Sequence, residues 1–327
     1  MNNPLDEREP LLQPLKEDKY VFTAGLQEHD DIYQLYKKQQ SCFWTPPEVD
    51  FGDDAKAFEA MSDGEQRFIS YVVAFFAGSD LIVNENISTR FCEDIEVPII
   101  LTCYHWQMAM EDIHSETYSI LLQTIIPKKE EQRRLMHAIT EIDTIKKKSD
   151  FCFKYMTCDC QFKYRLIAFA ICEGVFFSSS FAAIFWLKSK GGRMSGLITS
   201  NEFISRDEGM HCEMAVLLYK KLKHPLSQKE IHGMYRKGAD IEKAFICDAV
   251  PCALMGMNSA SMCEYIEFVC DFWLVQLGYD KLYGTPNPFP FMEAISLESK
   301  TNFFEKRVTS YSLAEKDHTF KCDDDDF

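Results

Sequence analysis

Apolar positions recur along most of this chain with the three-and-four spacing of helices, and the alternating runs that make strands are scarce. Ser62-Asp63-Gly64-Glu65 has the form of a capping box and predicts a helix running through Asp80 towards Asn86. Pro98 suits the first turn of the next helix, which carries Glu111, His114 and Tyr118 and stops before Pro127. A polar helical stretch is expected from Lys128 to about Lys154. The run from Leu166 to Leu187 carries a single charge, Glu173, and its helix should end near Gly191-Gly192. Further helices are predicted over about 197–222, from a second capping box at Ser227-Gln228-Lys229-Glu230 to Pro251, and over about 259–277. The pattern breaks after Gly278, at Pro286, Pro288 and Pro290. The expectation is an all-α protein with one helical domain over 21–305. A loose tail, 1–20, precedes it, and a mobile tail, 306–327, comes after it.

The run from Leu166 to Leu187 is long enough to cross a membrane. The chain offers no equally clean second span, however, and Ser178, Ser179 and Ser180 interrupt this one. A helix apolar on all sides is also what the centre of a large bundle requires, and that reading is preferred.

The charges that do interrupt apolar helices form a pattern. Glu111/His114 and Glu208/His211 are Glu-x-x-His pairs, and residues three apart share a helix face. Each pair comes after an isolated carboxylate in an apolar stretch, Asp80 and Glu173. Four carboxylates and two histidines on four helices are the ligand inventory of a carboxylate-bridged two-metal site in a helical bundle. A single Glu-x-x-His arises readily by chance, and a third copy, Glu315/His318, lies in the charged tail and is taken as coincidence. The first two differ in context. Unpaired carboxylates in a dry core cost several kcal/mol each, on the order expected for buried charge. The neighbours of Glu173 on its own helix are Ala, Ile, Cys, Gly and Phe, none of which can neutralise it. Two divalent cations would, and such a donor set suits an iron pair that reacts with oxygen.

Tyr118 lies one turn beyond His114, on the ligand face. Phe177 and Phe181 come after Glu173 at helical spacing, and Ile204 precedes Glu208 by one turn. The grouping allows a shielded tyrosyl radical beside the metals; by periodicity alone it is equally readable as ordinary core packing.

Composition narrows the rest. A formal charge of −16 and a pI near 5.0 argue against binding a nucleic-acid backbone. The 13 cysteines include no C-x-x-C pair, and the N-terminal stretch has no signal-peptide core, so a cytoplasmic protein with reduced thiols is expected.

The segments AFFAGSDLIVNEN, AMEDIHSETYS, AFAICEGVFFSSSF, SNEFISRDEGMHC and ISLESKTNFFEKRV resemble the motifs of the class I ribonucleotide reductase small subunit of eukaryotes and their viruses. The likeness runs from about Tyr33 to Val308. It implies a ferritin-like helical bundle and two iron ions, oxo-bridged when oxidised, held by Asp80, Glu111, His114, Glu173, Glu208 and His211; a manganese-containing pair is the alternative. It implies a radical on Tyr118 in a pocket of Phe177, Phe181 and Ile204. It also implies transfer of that radical through Trp44, Asp207 and Tyr311, roles that spacing could not reveal. The implied partners are a second copy of the chain, as a homodimer, and a large catalytic subunit that binds the acidic C-terminal tail. That tail, Phe320 to Phe327, has one residue more between its phenylalanines than the family pattern, which puts its docking register in question. Rival readings are a two-metal oxidase with its own organic substrate and a non-catalytic scaffold that only holds the large subunit. The first needs neither Asp207 and Trp44 nor the acidic tail; the second needs no buried carboxylates.

Overall fold

The computed structural model describes residues 9–13, 20–189, 191, 193–249 and 259–292. The chain divides into two units, residues 1–289 and 290–327, and of the second only 290–292 are described. The numbered helices all lie in the first unit, and no strand occurs among the described residues.

The helices, in chain order, are α1 (Asp30–Ser41), α2 (Asp54–Glu59), α3 (Asp63–Asn86), α4 (Cys92–Asp94) and α5 (Pro98–Ile125). Next come α6 (Lys129–Met136), α7 (Ala138–Glu141), α8 (Asp143–Thr157), α9 (Phe162–Ile171) and α10 (Ser178–Ser189). The last are α11 (Ser195–Lys220), α12 (Gln228–Ala249) and α13 (Ser259–Gln276). Both capping boxes form: Ser62 and Glu65 exchange bonds at the start of α3, and Ser227 and Glu230 at the start of α12. Pro98 occupies the first turn of α5.

The polar stretch expected as one helix is three, α6 to α8. The His137 ring binds the Arg133 carbonyl at 2.7 Å, one of the bonds that closes α6. Inside the first 20 residues, expected to be loose, Glu9 accepts the backbone N–H groups of Lys223 and His224, each at 2.8 Å, and Leu11 and Leu12 are buried. The segment 306–327 lies outside the described residues.

Two elements depart from α-geometry. A π-turn over Ile87–Phe91 continues α3, and another over Cys172–Phe176 joins α9 to α10. The continuous stretch Phe162–Ser189 is apolar enough to cross a membrane, yet its apolar window is wholly buried, with α11, α12 and α13 packed against it. The stretch Asp63–Asp94 is also long and apolar enough for a span, and 61% of its apolar window is buried within the bundle. Helix α3 packs along α5, and α5 meets α11, so the four elements carrying Asp80, Glu111, Glu173 and Glu208 converge.

Reduced thiols are the expectation from sequence, but the structure pairs Cys152 with Cys172 and Cys158 with Cys160 as disulfides. The first links α8 to the π-turn beside it, and the second closes on itself in the loop between α8 and α9. Seven other described cysteines are free.

Candidate metal centre

Asp80, Glu111, His114, Glu173, Glu208 and His211 are all buried, and they fall into two groups. Glu111, Glu173, Glu208 and His211 bring ligand atoms within 4.8 Å of one another, as do Asp80, Glu111 and His114. Glu111 belongs to both, so the arrangement is that of a dimetal site with a shared carboxylate. The six residues come from α3, α5, the second π-turn and α11, and all are buried.

The donor chemistry fits metal ions. Asp80 Oδ2 and both carboxylate oxygens of Glu111 and Glu173 have no hydrogen-bond partner, an arrangement that a buried core without a cation would not sustain. The nearby contacts are with imidazoles: His211 Nδ1 lies 2.8 Å from Glu111 Oε1, 3.2 Å from Glu208 Oε2 and 3.5 Å from Glu173 Oε2. His114 Nδ1 lies 3.1 Å from Glu208 Oε1 and 3.5 Å from Glu111 Oε2. The buried cations Lys148 and Arg165 are engaged elsewhere, with Glu242 and Asp94.

Protonation reflects this crowding. Burial, then the Glu111 charge, pushes Asp80 well above the usual carboxylate range; burial, then Glu208 and Glu111, does the same to Glu173. Burial also opposes ionisation of Glu208, but contacts with Glu173, His114 and His211 outweigh it and hold that carboxyl low. Burial likewise opposes charge on both imidazoles, yet their carboxylate neighbours raise them well above an ordinary histidine.

Tyr118 is fully buried, and its hydroxyl donates to Asn201 Oδ1 at 2.8 Å. The amide is oriented by its other end, since Asn201 Nδ2 donates to the Leu197 carbonyl at 2.7 Å. Burial, then Asp80, Glu208 and Glu111, pushes the phenol well above its ordinary value, so it stays protonated. Phe76 stacks on the Tyr118 ring at 4.7 Å with 6° between planes. Phe177 and Phe181 pack against Phe76 in turn, at 5.3 and 5.0 Å, and Ile204 is buried on α11. Sequence reasoning named the outer rings and missed Phe76 and Asn201. The signal was present, because Phe76 precedes Asp80 by four residues and Asn201 precedes Glu208 by seven, both ligand-face spacings.

A polar line leads outward from His114. Its Nε2 lies 3.2 Å from Asp207 Oδ2, and Trp44 Nε1 donates to the same oxygen at 2.7 Å. Trp44 is buried, and its ring stacks near that of His114 at 6.0 Å. Arg206 holds the other oxygen of Asp207 from Nε at 3.1 Å and Nη2 at 3.0 Å, and donates to the Cys42 carbonyl at 2.7 Å. Tyr311 and the acidic tail fall outside the described residues.

Comparison with known proteins agrees with the geometry. The family model described as "Ribonucleotide reductase, small chain" matches residues 24–288. The ribonucleoside-diphosphate reductase small chain of Trypanosoma brucei brucei is 48% identical over 94% of this sequence and 90% of its own. The corresponding protein of Vaccinia virus (strain Ankara) is 45% identical over 97% and 99%. Among solved structures, the ribonucleotide reductase Rnr4 homodimer from Saccharomyces cerevisiae superposes with a TM-score of 0.76 at 28% identity, covering 93% of each chain.

Proposed function

The chain belongs to the ribonucleotide reductase small-chain family, and on that footing we propose how its residues serve such a subunit. Its activity is that of the small subunit of a ribonucleoside-diphosphate reductase, the enzyme that turns ribonucleotides into deoxyribonucleotides. Asp80, Glu111, His114, Glu173, Glu208 and His211 hold two metal ions, and Tyr118 beside them carries a radical. The observation that supports this most directly is the pair of ligand groups sharing Glu111. Iron, for which this oxygen- and nitrogen-rich donor set is suited, would supply with dioxygen the power to take one electron from a phenol.

The chain's own residues do the rest. Tyr118 gives up one electron and its phenolic proton and becomes a neutral radical. The Asn201 amide oxygen orients the hydroxyl but is too weak a base to take that proton. Burial, and after it the charges of Asp80, Glu208 and Glu111, disfavour a phenolate, so the proton leaves together with the electron. Phe76, Phe177, Phe181 and Ile204 keep water from the ring. Trp44, Asp207 and His114 form the inner part of a transfer route, and Tyr311 continues it to the large subunit, which binds the nucleotide. The acidic end of the tail, Asp323 to Phe327, docks on that subunit. The chain pairs with a second copy, the assembly named for its yeast relative.

The test is electron paramagnetic resonance after anaerobic iron loading and exposure to oxygen. Wild type should give a tyrosyl signal that Tyr118→Phe lacks. A silent wild type, or a signal unchanged in the variant, would overturn the assignment.

A further inference from the structure

Glu173 differs from the other candidate ligands in the element that carries it, a π-turn where the others sit on α-helices. Neither of its carboxylate oxygens has a hydrogen-bond donor, and its contact with His211 is a long 3.5 Å. Its aim therefore depends on its backbone, which is the π-turn over Cys172–Phe176. One extra residue in a turn rotates the rest of the helix by about 100° and loosens the local packing, so such turns persist where surroundings compensate.

The compensation here is a buried cation. Lys148 Nζ, on α8, donates to the Phe176 carbonyl at 2.8 Å, at the end of the π-turn. The ammonium pairs with Glu242 Oε2 of α12 at 2.6 Å, and Glu242 Oε1 accepts the hydroxyl of Ser179, three residues beyond Phe176. Two aromatic faces complete the enclosure: Nζ lies 3.7 Å from the Phe75 ring centre and 3.6 Å from that of Phe245. Lys148 and Glu242 are 1% and 0% exposed. A buried ion pair is commonly matched or bettered in stability by apolar residues of similar volume, so stability alone is a weak reason for this one. Burial pushes Lys148 down to about 8, although Glu242 opposes that fall. From α13, Trp273 adds a further restraint, since a Cβ on Gly174 would lie 2.6 Å from the indole nitrogen.

We infer that Lys148, anchored by Glu242, is a positioning residue for Glu173: it holds the Phe176 carbonyl and so fixes the π-turn that aims Glu173 at the metals. The inference rests on the metal-centre reading above, and it makes one half of the centre depend on Lys148. The group of Glu111, Glu173, Glu208 and His211 depends on it; that of Asp80, Glu111 and His114 does not.

The test is anaerobic titration of the full metal-free chain with cobalt(II), followed by visible absorption and calorimetry. Wild type should take two ions per chain. Lys148→Met should keep one near wild-type affinity and bind the second about 10-fold or more weakly, the range known for partners that orient ligands. Its one-ion spectrum should match that of Glu173→Ala. Because Lys148→Met strands Glu242, Lys148→Met/Glu242→Leu is measured alongside it. The double variant should regain thermal stability while the second ion remains weak. A stable double variant that takes both ions at full affinity would overturn the inference, as would equal weakening of both ions. A wild type that binds no cobalt would instead overturn the metal-centre reading, and this inference with it.

Discussion

The bond from Tyr118 to Asn201 joins two groups that have no water to fall back on. Tyr118→Phe strands the amide oxygen and Asn201→Leu strands the phenol, so each should cost about 1–3 kcal/mol. The double variant should recover part of that sum, because it leaves nothing unpaired at this bond. Denaturant unfolding of the metal-free chain measures all three, and strictly additive losses would show that the bond contributes nothing. The ligands carry a second expectation. Asp80 and Glu173 are raised by burial and carboxylate neighbours, so without metal they keep protons that exposed carboxyls would have lost. The imidazoles are raised as well, and metals bind the deprotonated forms. Metal uptake should therefore release protons, tighten as pH rises and fail in acid. Calorimetry in buffers of different ionisation enthalpy counts the protons, and uptake without release would contradict the expectation. Residues at helical spacing from a ligand were legible in this way, and Phe76 and Asn201 could have been found. Lys148 could not, because its partners Phe176 and Glu242 come from distant segments that only the fold brings together.

At the scale of elements, local chemistry made the starts of α3 and α12 readable, since a capping box is written within four residues. Ser62→Ala should cost about 1 kcal/mol, visible as a lower unfolding midpoint. The π-turn at Cys172–Phe176 was not readable. A helix that is apolar on every side has no polar stripe whose drift would betray an added residue. Glycine is the one visible mark, and its use is steric: Gly174→Ala drives a methyl group into Trp273. That overpacking should cost about 1–3 kcal/mol in thermal or denaturant unfolding. Trp273→Phe in the same chain should relieve part of it; an unchanged stability in Gly174→Ala would mean that α13 yields freely. The division of the polar stretch into α6, α7 and α8 was equally hidden, because exposed charged turns look alike whether or not a ring such as His137 closes one of them.

For the whole molecule, the all-α class came from periodicity, and the convergence of four helices came from the cost of burying their carboxylates unpaired. Partnership is tested at the same scale. Removing Asp323 to Phe327 should abolish reductase activity in the presence of the large subunit while leaving the Tyr118 signal intact; surviving activity would remove the tail from the docking role. The buried stretch Phe162–Ser189 bears on a different stage of the protein's life. It is covered by α11, α12 and α13, all of which leave the ribosome after it. Elements made earlier, such as α8, reach only part of it, so during synthesis the stickiest part of the chain must wait, incompletely covered, for more than eighty further residues before α13 is complete. Nascent chains halted before Ser195 should accordingly recruit chaperones or aggregate, and those released after Gln276 should do so far less.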